Sequence, residues 1–530
     1  MKSYYRHLET TGVVQSSSPV SKRPVYRSSA IFPVVHSHQF SSRISFLGYW
    51  LLKRGIQELA ILLTLRNQNG EVLDRRSMTI DTGKSFVIEL LPLLQEQPFY
   101  NASEIFYGSL EIEIFSTRDL HFPYPAVIVC YYNENFSTAV HSAGRIYNDF
   151  EDLRENDSIK VPESGFDIFP GVDFDPFISF TNGALPAPKP SLEYTLVNHA
   201  GRPLEGSIPL PTIDPYETIF LFLKKHIPLD AWLEGEVGTI KLRHPFRGFF
   251  PRFFAGNLQH SFPSISLTHT YYDCSTLSNE TDYWKRTDER FNDASIFVPL
   301  FLENDYYTEV IFYPIYSPSV FTLALSFFDL NGKCIKQIPS FKQIDTRKTV
   351  FERISVKAIV QDHGLDPRWA KGLNIEQNAF PGHLYPTRIK MGLNVGTKGR
   401  PIKLPCNICF NAQVGNPATV QKPRSFRWAP FLNVGTSIIV LTNSAPLKNY
   451  EQKADVQLQF FRERDGKMIE RKVEIPPFGQ TRIELDKEPE LKLFLAEKTG
   501  WMTALSDNPY VNGWYFDFHK SGAVAGDHCF

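Results

Sequence analysis

The sequence predicts an all-β chain of four tandem antiparallel β-sandwich domains copied from one internal repeat. Three observations carry that prediction. A phrase of strand, polar turn ending in glycine, strand, Pro- or Asp-containing bend and third strand occurs four times, at 59–90, 191–222, 321–352 and 454–485. The turn glycines Gly70, Gly201, Gly332 and Gly466 are separated by 131, 131 and 134 residues. The flanking residues alternate with a period of two, which turns one strand face to a core and the other to water. Spacing this even implies one supersecondary unit repeated along the chain, and it outranks local signals.

Each element follows from its residues. The pair before each phrase is rich in Phe and Pro, as in "FPVVHSHQFSSRISFLGYWLL" and "WAPFLNVGTSIIVLTNSAPL". The turns "NG", "AG", "NG" and "DG" put glycine where a tight hairpin needs positive φ. Val456, Leu458 and Phe460 then mark the inner face of a strand. A short apolar stretch after the third strand, such as "LFLKKHIP" or "LKLFLAEKTG", predicts one or two helical turns. Gly-containing and aromatic strands close each copy, which gives about seven short strands at sandwich spacing.

The predicted boundaries are a flexible polar segment over 1–29 and sandwiches over 30–148, 166–278, 292–398 and 404–530. Charged bridges at 147–166 and 275–294 and a shorter one at 396–405 separate them. Bridges this short predict a rigid rod or arc. The pattern resembles immunoglobulin-like and fibronectin-type modules in general outline, although the Cys…Trp…Cys spacing is missing. The resemblance implies a sandwich and leaves function open, because such folds host many activities.

Composition narrows the classes. The 530 residues are 42% hydrophobic, 14% aromatic and 21% charged with a net charge of −1, so the chain can bury several cores and carries no global field for nucleic acid. No run of 18 apolar residues occurs, which predicts no membrane span. Six cysteines are too few for a disulfide framework, and residues 1–30 lack the apolar core of a signal peptide. A soluble, cytoplasmic protein is expected, and the N-x-S/T sequons at Asn101, Asn135, Asn156 and Asn279 are read as chance matches.

No phosphate loop, dinucleotide fingerprint, nucleophile elbow or His-Glu-x-x-His helix is present. The pair Cys406 and Cys409 falls on opposite strand faces and reads as buried free thiols at the start of the fourth unit. His36 and His38, two apart, are expected on one strand face and are the metal candidates. Further candidates for a ligand or contact site cluster at the ends of the copies: His141, Arg145, His269, Asp273, His519, Asp527 and His528. The final "GDHCF" is expected to dock against the body or a partner. Phe246, Arg247, Phe249, Phe250, Phe253 and Phe254 form a candidate aromatic interface, with burial against a neighbouring unit as the plainer reading. Asp173 and Asp175 read as a solvated strand edge, with calcium as the sharper alternative.

These observations favour a non-enzymatic scaffold or interaction protein that self-associates or binds a protein partner, with no cofactor. A carbohydrate-binding array and an enzyme with an inter-domain His/Asp/Arg site are the alternatives. Spatial convergence of His36, His141, Asp527 and His528 in a cleft is the observation that discriminates between them.

Overall fold

A computed structural model describes residues 26–530 apart from 99, 123, 142–143, 148–162, 251, 273–282, 285, 287, 315–317, 387–388 and 416–423. The chain is all-β, in antiparallel sheets with a few short helices. In the first copy the strands are β1 (Tyr26–His36), β2 (Ser41–Leu47), β3 (Leu59–Asn67), β4 (Val72–Ile80), β5 (Ser85–Glu89), β6 (Phe106–Ser116), β7 (Val127–Tyr132) and β8 (Val140–His141). They pair in two sheets of order β1-β6-β3-β4 and β5-β2-β7-β8. The same order, position for position, recurs over 163–269, 294–411 and 425–528. The second and third copies each add one short strand beside their first strand, Tyr271–Tyr272 and Gln413–Val414. Where nothing is added, the first strand is an edge, and there Pro33 and Pro430 sit without breaking a central ladder.

Inner faces follow the alternation read from sequence. Val456, Leu458 and Phe460 are buried, while the outer strand Met468–Ile475 alternates exposed and half-buried residues. Ile44 and Phe46 of one sheet share a core with Ile61 and Leu63 of the other. Fully burying side chains of this size is worth roughly 1.5–3 kcal/mol each. The helical turns expected after the fifth strand appear as Leu90–Gln95, Leu229–Leu233, Val356–Asp362 and Pro489–Leu495. No helix among the described residues is long and apolar enough to cross a membrane.

The turns explain the repeat. Gly70, Gly201 and Gly332 have φ of 84°, 72° and 78°. Asn67, Asn198 and Asp329 open these three turns, and the side-chain oxygen of each accepts backbone N–H groups two to four residues on, at 2.9–3.1 Å. The fourth turn differs. Gly466 is outside the positive-φ set, and the longer loop from Arg462 is held by an Arg462–Asp465 ion pair. Each turn rests on the bend before the fifth strand of the next copy. Thr218 N donates to Gln68 O at 2.8 Å, Gln480 N to Leu330 O at 3.0 Å, and Ser85 N to Arg462 O at 3.2 Å. The last of these joins the fourth copy to the first, so the copies close on themselves where the sequence suggested a rod or arc.

Two joints show how closure is held. Between the fourth and first copies, Trp501 Nε1 donates to Ser45 Oγ (3.0 Å), Ser85 Oγ to Thr499 O (2.9 Å) and Arg43 Nη2 to Leu432 O (2.7 Å), beside one continuous apolar core. Between the second and third, buried Asp167 accepts from Tyr313 Oη (3.0 Å) and Asn394 Nδ2 (2.7 Å). Burial pushes the Asp167 carboxyl up, against the opposing pull of Arg353 and Asn394.

Two expectations need correction. The stretch 396–405 is no boundary: Cys406–Asn411 pairs with Lys390–Thr397 as the last strand of the third copy, and the fourth begins with Ser425–Phe431. A polar hairpin connection there has the composition of a linker. The start at residue 30 is also late, because β1 already pairs with β6 from Tyr26, and residues 1–25 of the expected flexible segment lie outside the described residues.

Candidate functional site

The last strands of the four copies meet. Each of Val140–His141, Ser264–His269, Cys406–Asn411 and Val524–His528 packs against the last strands of its two neighbours. They surround a cleft of about 610 Å³ whose wall includes His141, His269, Cys409, Asn411 and His528. Arg252, Arg427, Asn512, Trp514 and Phe530 also line it. Residues more than a hundred positions apart thus share one site because the strand order is repeated and the repeats close.

Hydrogen bonds fix the imidazoles. His141 Nδ1 lies 2.5 Å from Asp527 Oδ2, which joins the first copy to the fourth. His269 Nδ1 lies 2.9 Å from Thr270 O, and His528 Nδ1 lies 3.1 Å from Cys529 O. A carbonyl oxygen only accepts, so in these two rings Nδ1 carries the proton. The rings of His269 and His528 stand edge-on to His141 at 4.9 and 4.6 Å. Phe530 covers His141 at 5.7 Å and stacks on Trp428 at 5.6 Å, while its N–H donates to Trp428 O. The last residues are docked.

Charge is distributed unevenly. Burial opposes ionisation of Asp527, yet the charges of His141 and His528 and their hydrogen bonds hold its carboxyl below the ordinary range. Burial lowers His528, and it lowers His269 strongly with help from Arg252 and His141. Arg427 donates through Nε to Val511 O (2.9 Å) and through Nη2 to Asn512 Oδ1 (2.7 Å), and burial lowers it. Among the described residues no carboxylate forms an ion pair with Arg427. The ligand atoms of His141, Asp527 and His528 all lie within 4.8 Å of one another.

The other candidates are elsewhere. His36 is buried with Nδ1 3.0 Å from Ser41 Oγ and Nε2 3.4 Å from the Tyr100 hydroxyl. β1 ends at His36 and His38 is exposed in the turn beyond it, so the pair does not share a strand face. His519 Nε2 sits 2.9 Å from Ser137 Oγ and 3.3 Å from Asp517, at the joint of the fourth and first copies. Arg145 is buried on a two-residue strand that pairs with Phe249–Phe250, its guanidinium near the Tyr124 ring. That ribbon spends the aromatic segment inside the chain: Phe246, Phe249, Phe250, Phe253 and Phe254 are buried and only Arg247 is exposed. Asp273 lies outside the described residues. Asp173 and Asp175 are bonded to Ser261 and His260. Cys406 and Cys409 are free and buried on the third copy's last strand, with Cys409 in the cleft wall.

Sequence reasoning missed Arg427, Asn512 and Trp514. Arg427 occupies a strand position that reads as an ordinary outward residue, and nothing local marks its approach to residue 528. No known protein-family model matches the chain, and no curated protein is significantly similar to it in sequence.

Proposed function

We propose that the chain is a non-enzymatic binding protein: four tandem β-sandwich modules, closed into a ring, that hold a small anionic ligand in the cleft between their last strands. One observation carries the reading. His141, His269 and His528 come from three different copies and converge on one cleft, together with the guanidiniums of Arg252 and Arg427. The second–fifth and third–sixth strand pairings match the immunoglobulin-like pattern expected of each module, while the first–sixth and second–seventh pairings depart from it. Clefts with an apolar lining and a few convergent polar groups are the usual form of small-ligand sites. The burial of Phe246, Phe249, Phe250, Phe253 and Phe254 within the chain removes the main sequence argument for a protein partner or self-association at that surface. Exposed large apolar residues such as Val172, Trp369 and Leu493 are scattered, so they support neither a sugar platform nor a docking face. All five described cysteines are free, which suits a reducing, cytoplasmic setting.

The test is a melting-temperature screen against carboxylates, phosphate, sulfate and sugar acids. At least one class should raise the transition of the full chain, and Arg427→Met should abolish that rise. A screen in which no anion acts, or one where Arg427→Met responds like the parent, removes the proposal.

A further inference from the structure

The cleft carries a more specific inference, which rests on the binding role proposed above. We propose that His141, Asp527 and His528 form a binding site for one divalent first-row transition ion, zinc fitting best, with the cleft side left open for a ligand. Two of the three residues are imidazoles. His528 Nδ1 donates to Cys529 O at 3.1 Å, so that ring presents Nε2 as its lone pair. A metal-bound histidine commonly has this arrangement, its second nitrogen fixed by a carbonyl. His141 meets the Asp527 carboxylate through Nδ1, 2.5 Å from Oδ2, and an ion held there takes the place of the proton the two share.

Asp527 serves twice. Oδ2 faces His141 Nδ1, while Oδ1 lies 3.9 Å from His528 Nε2, too far for a hydrogen bond. An ion roughly 2.0–2.2 Å from an oxygen and a nitrogen bridges about that separation. The 4.8 Å limit on the whole set asks for a shift below roughly 1 Å, within reach of imidazole rotation. Two imidazoles and one carboxylate suit zinc and its neighbours better than calcium or magnesium, which take oxygen ligands. The side chains are buried to different degrees: 7% of Asp527 is exposed, 13% of His141 and 35% of His528. The set is therefore sealed on one side and faces the cleft through His528. His269 stays outside it, its Nδ1 held by Thr270 O and its ring edge-on to His141 as part of the wall. Arg427 along the same wall then favours an anion at the open position.

The competing role is a plain tie between the first and fourth copies, made by His141 and Asp527 alone. To separate the two, the full chain is stripped with chelator and titrated with Zn²⁺ and Co²⁺ by calorimetry. One equivalent is expected to bind, with an absorption spectrum for Co²⁺ of four- or five-coordinate type. His528→Gln breaks no cross-copy bond and is expected to weaken binding at least tenfold while the melting temperature of the metal-free protein holds. His36→Gln is expected to bind as the parent does. Should His528→Gln fail to fold, nitrogen NMR of the wild type decides, with the His528 Nε2 and His141 Nδ1 resonances moving on zinc addition. Absent stoichiometric binding, unaltered affinity in His528→Gln, or unmoved resonances at these two nitrogens each overturn the metal site. Anion-dependent stabilisation of the metal-free protein, lost in Arg427→Met, leaves the binding cleft standing without it.

Discussion

The outer joints and the inner cleft use the same four copies in opposite ways. At the outer joints the copies are alike. Asn67, Asn198 and Asp329 open three equivalent turns, and backbone N–H groups at Thr218, Gln480 and Ser85 meet three of the four turns in the same manner. At the cleft the last strands end differently, in His141, His269, Asn411 and His528. Positions where the copies agree build the frame, and positions where they diverge supply the chemistry. A symmetric cleft would present one side chain four times. Divergence lets it present imidazoles, a carboxylate and an amide together.

Removing residues 521–530 is the most severe way to test whether the inner wall also belongs to the frame. The deletion takes the strand Val524–His528, buried Ala525 and Cys529, and the Phe530–Trp428 stack. A loss above about 5 kcal/mol is expected from several buried side chains and a ladder together. Thermal unfolding checks it, and an unchanged melting temperature would mean that the wall hangs on a frame complete without it.

Asp167→Ala tests a joint that owes nothing to the repeat. The substitution leaves Tyr313, Asn394 and Asn407 with a broken network, in which Asn407 Nδ2 donates to both Tyr313 Oη and Asn394 Oδ1 at 2.7 Å. The expected cost is about 3 kcal/mol in urea unfolding, from buried polar groups left unsatisfied. A cost below about 1 kcal/mol would show that this joint is held by apolar contact alone.

His244 separates histidines that serve the frame from those that line the cleft. It packs between Phe246 and Phe253, and both ring nitrogens are shielded without a hydrogen-bond partner among the described residues. Burial lowers it from 6.5 to about 4. The neutral ring is favoured in the fold, so its contribution is full above pH 6.5, falls between 6.5 and 4, and is gone below. The residue as a whole is half-buried, and the discounted size is about 2 kcal/mol. Replacing it as His244→Phe is expected to flatten the loss of stability over that interval, measured by denaturant unfolding at pH 7, 5.5 and 4.5. An unchanged slope would assign the acid sensitivity to other groups, first among them the histidines that burial lowers, His36, His269 and His528.

How much was legible follows the same division. The alternation around Val456, Leu458 and Phe460 and the glycine spacing gave the sheets and the turns, because both are local consequences of backbone geometry. His141, His269, Asp527 and His528 stood out as polar residues at strand ends, but their convergence depends on closure, which no local pattern encodes. Asp167 and Arg427 were invisible for the same reason: their partners are set by how whole copies pack. The unit boundary expected at 396–405 misled because hairpin loops and linkers share a polar, Gly-containing composition.

The finest test compares two glycines at one repeat position. Gly332 has φ of 78°, and a Cβ there falls 2.1 Å from the carbonyl oxygen of Pro477 in the next copy. Backbone cannot give way as a side chain can, so Gly332→Ala carries both conformational strain and a clash at the joint. Gly466 adopts no positive φ, and its added Cβ meets only the Thr82 methyl at 2.7 Å. The expected cost is about 2 kcal/mol for Gly332→Ala and below about 1 kcal/mol for Gly466→Ala, from the penalty on left-handed non-glycine residues plus the steric term. Parallel urea titrations measure the difference. Equal costs would mean that the turn contacts between copies are replaceable, and that closure depends on the buried joints and the inner strands.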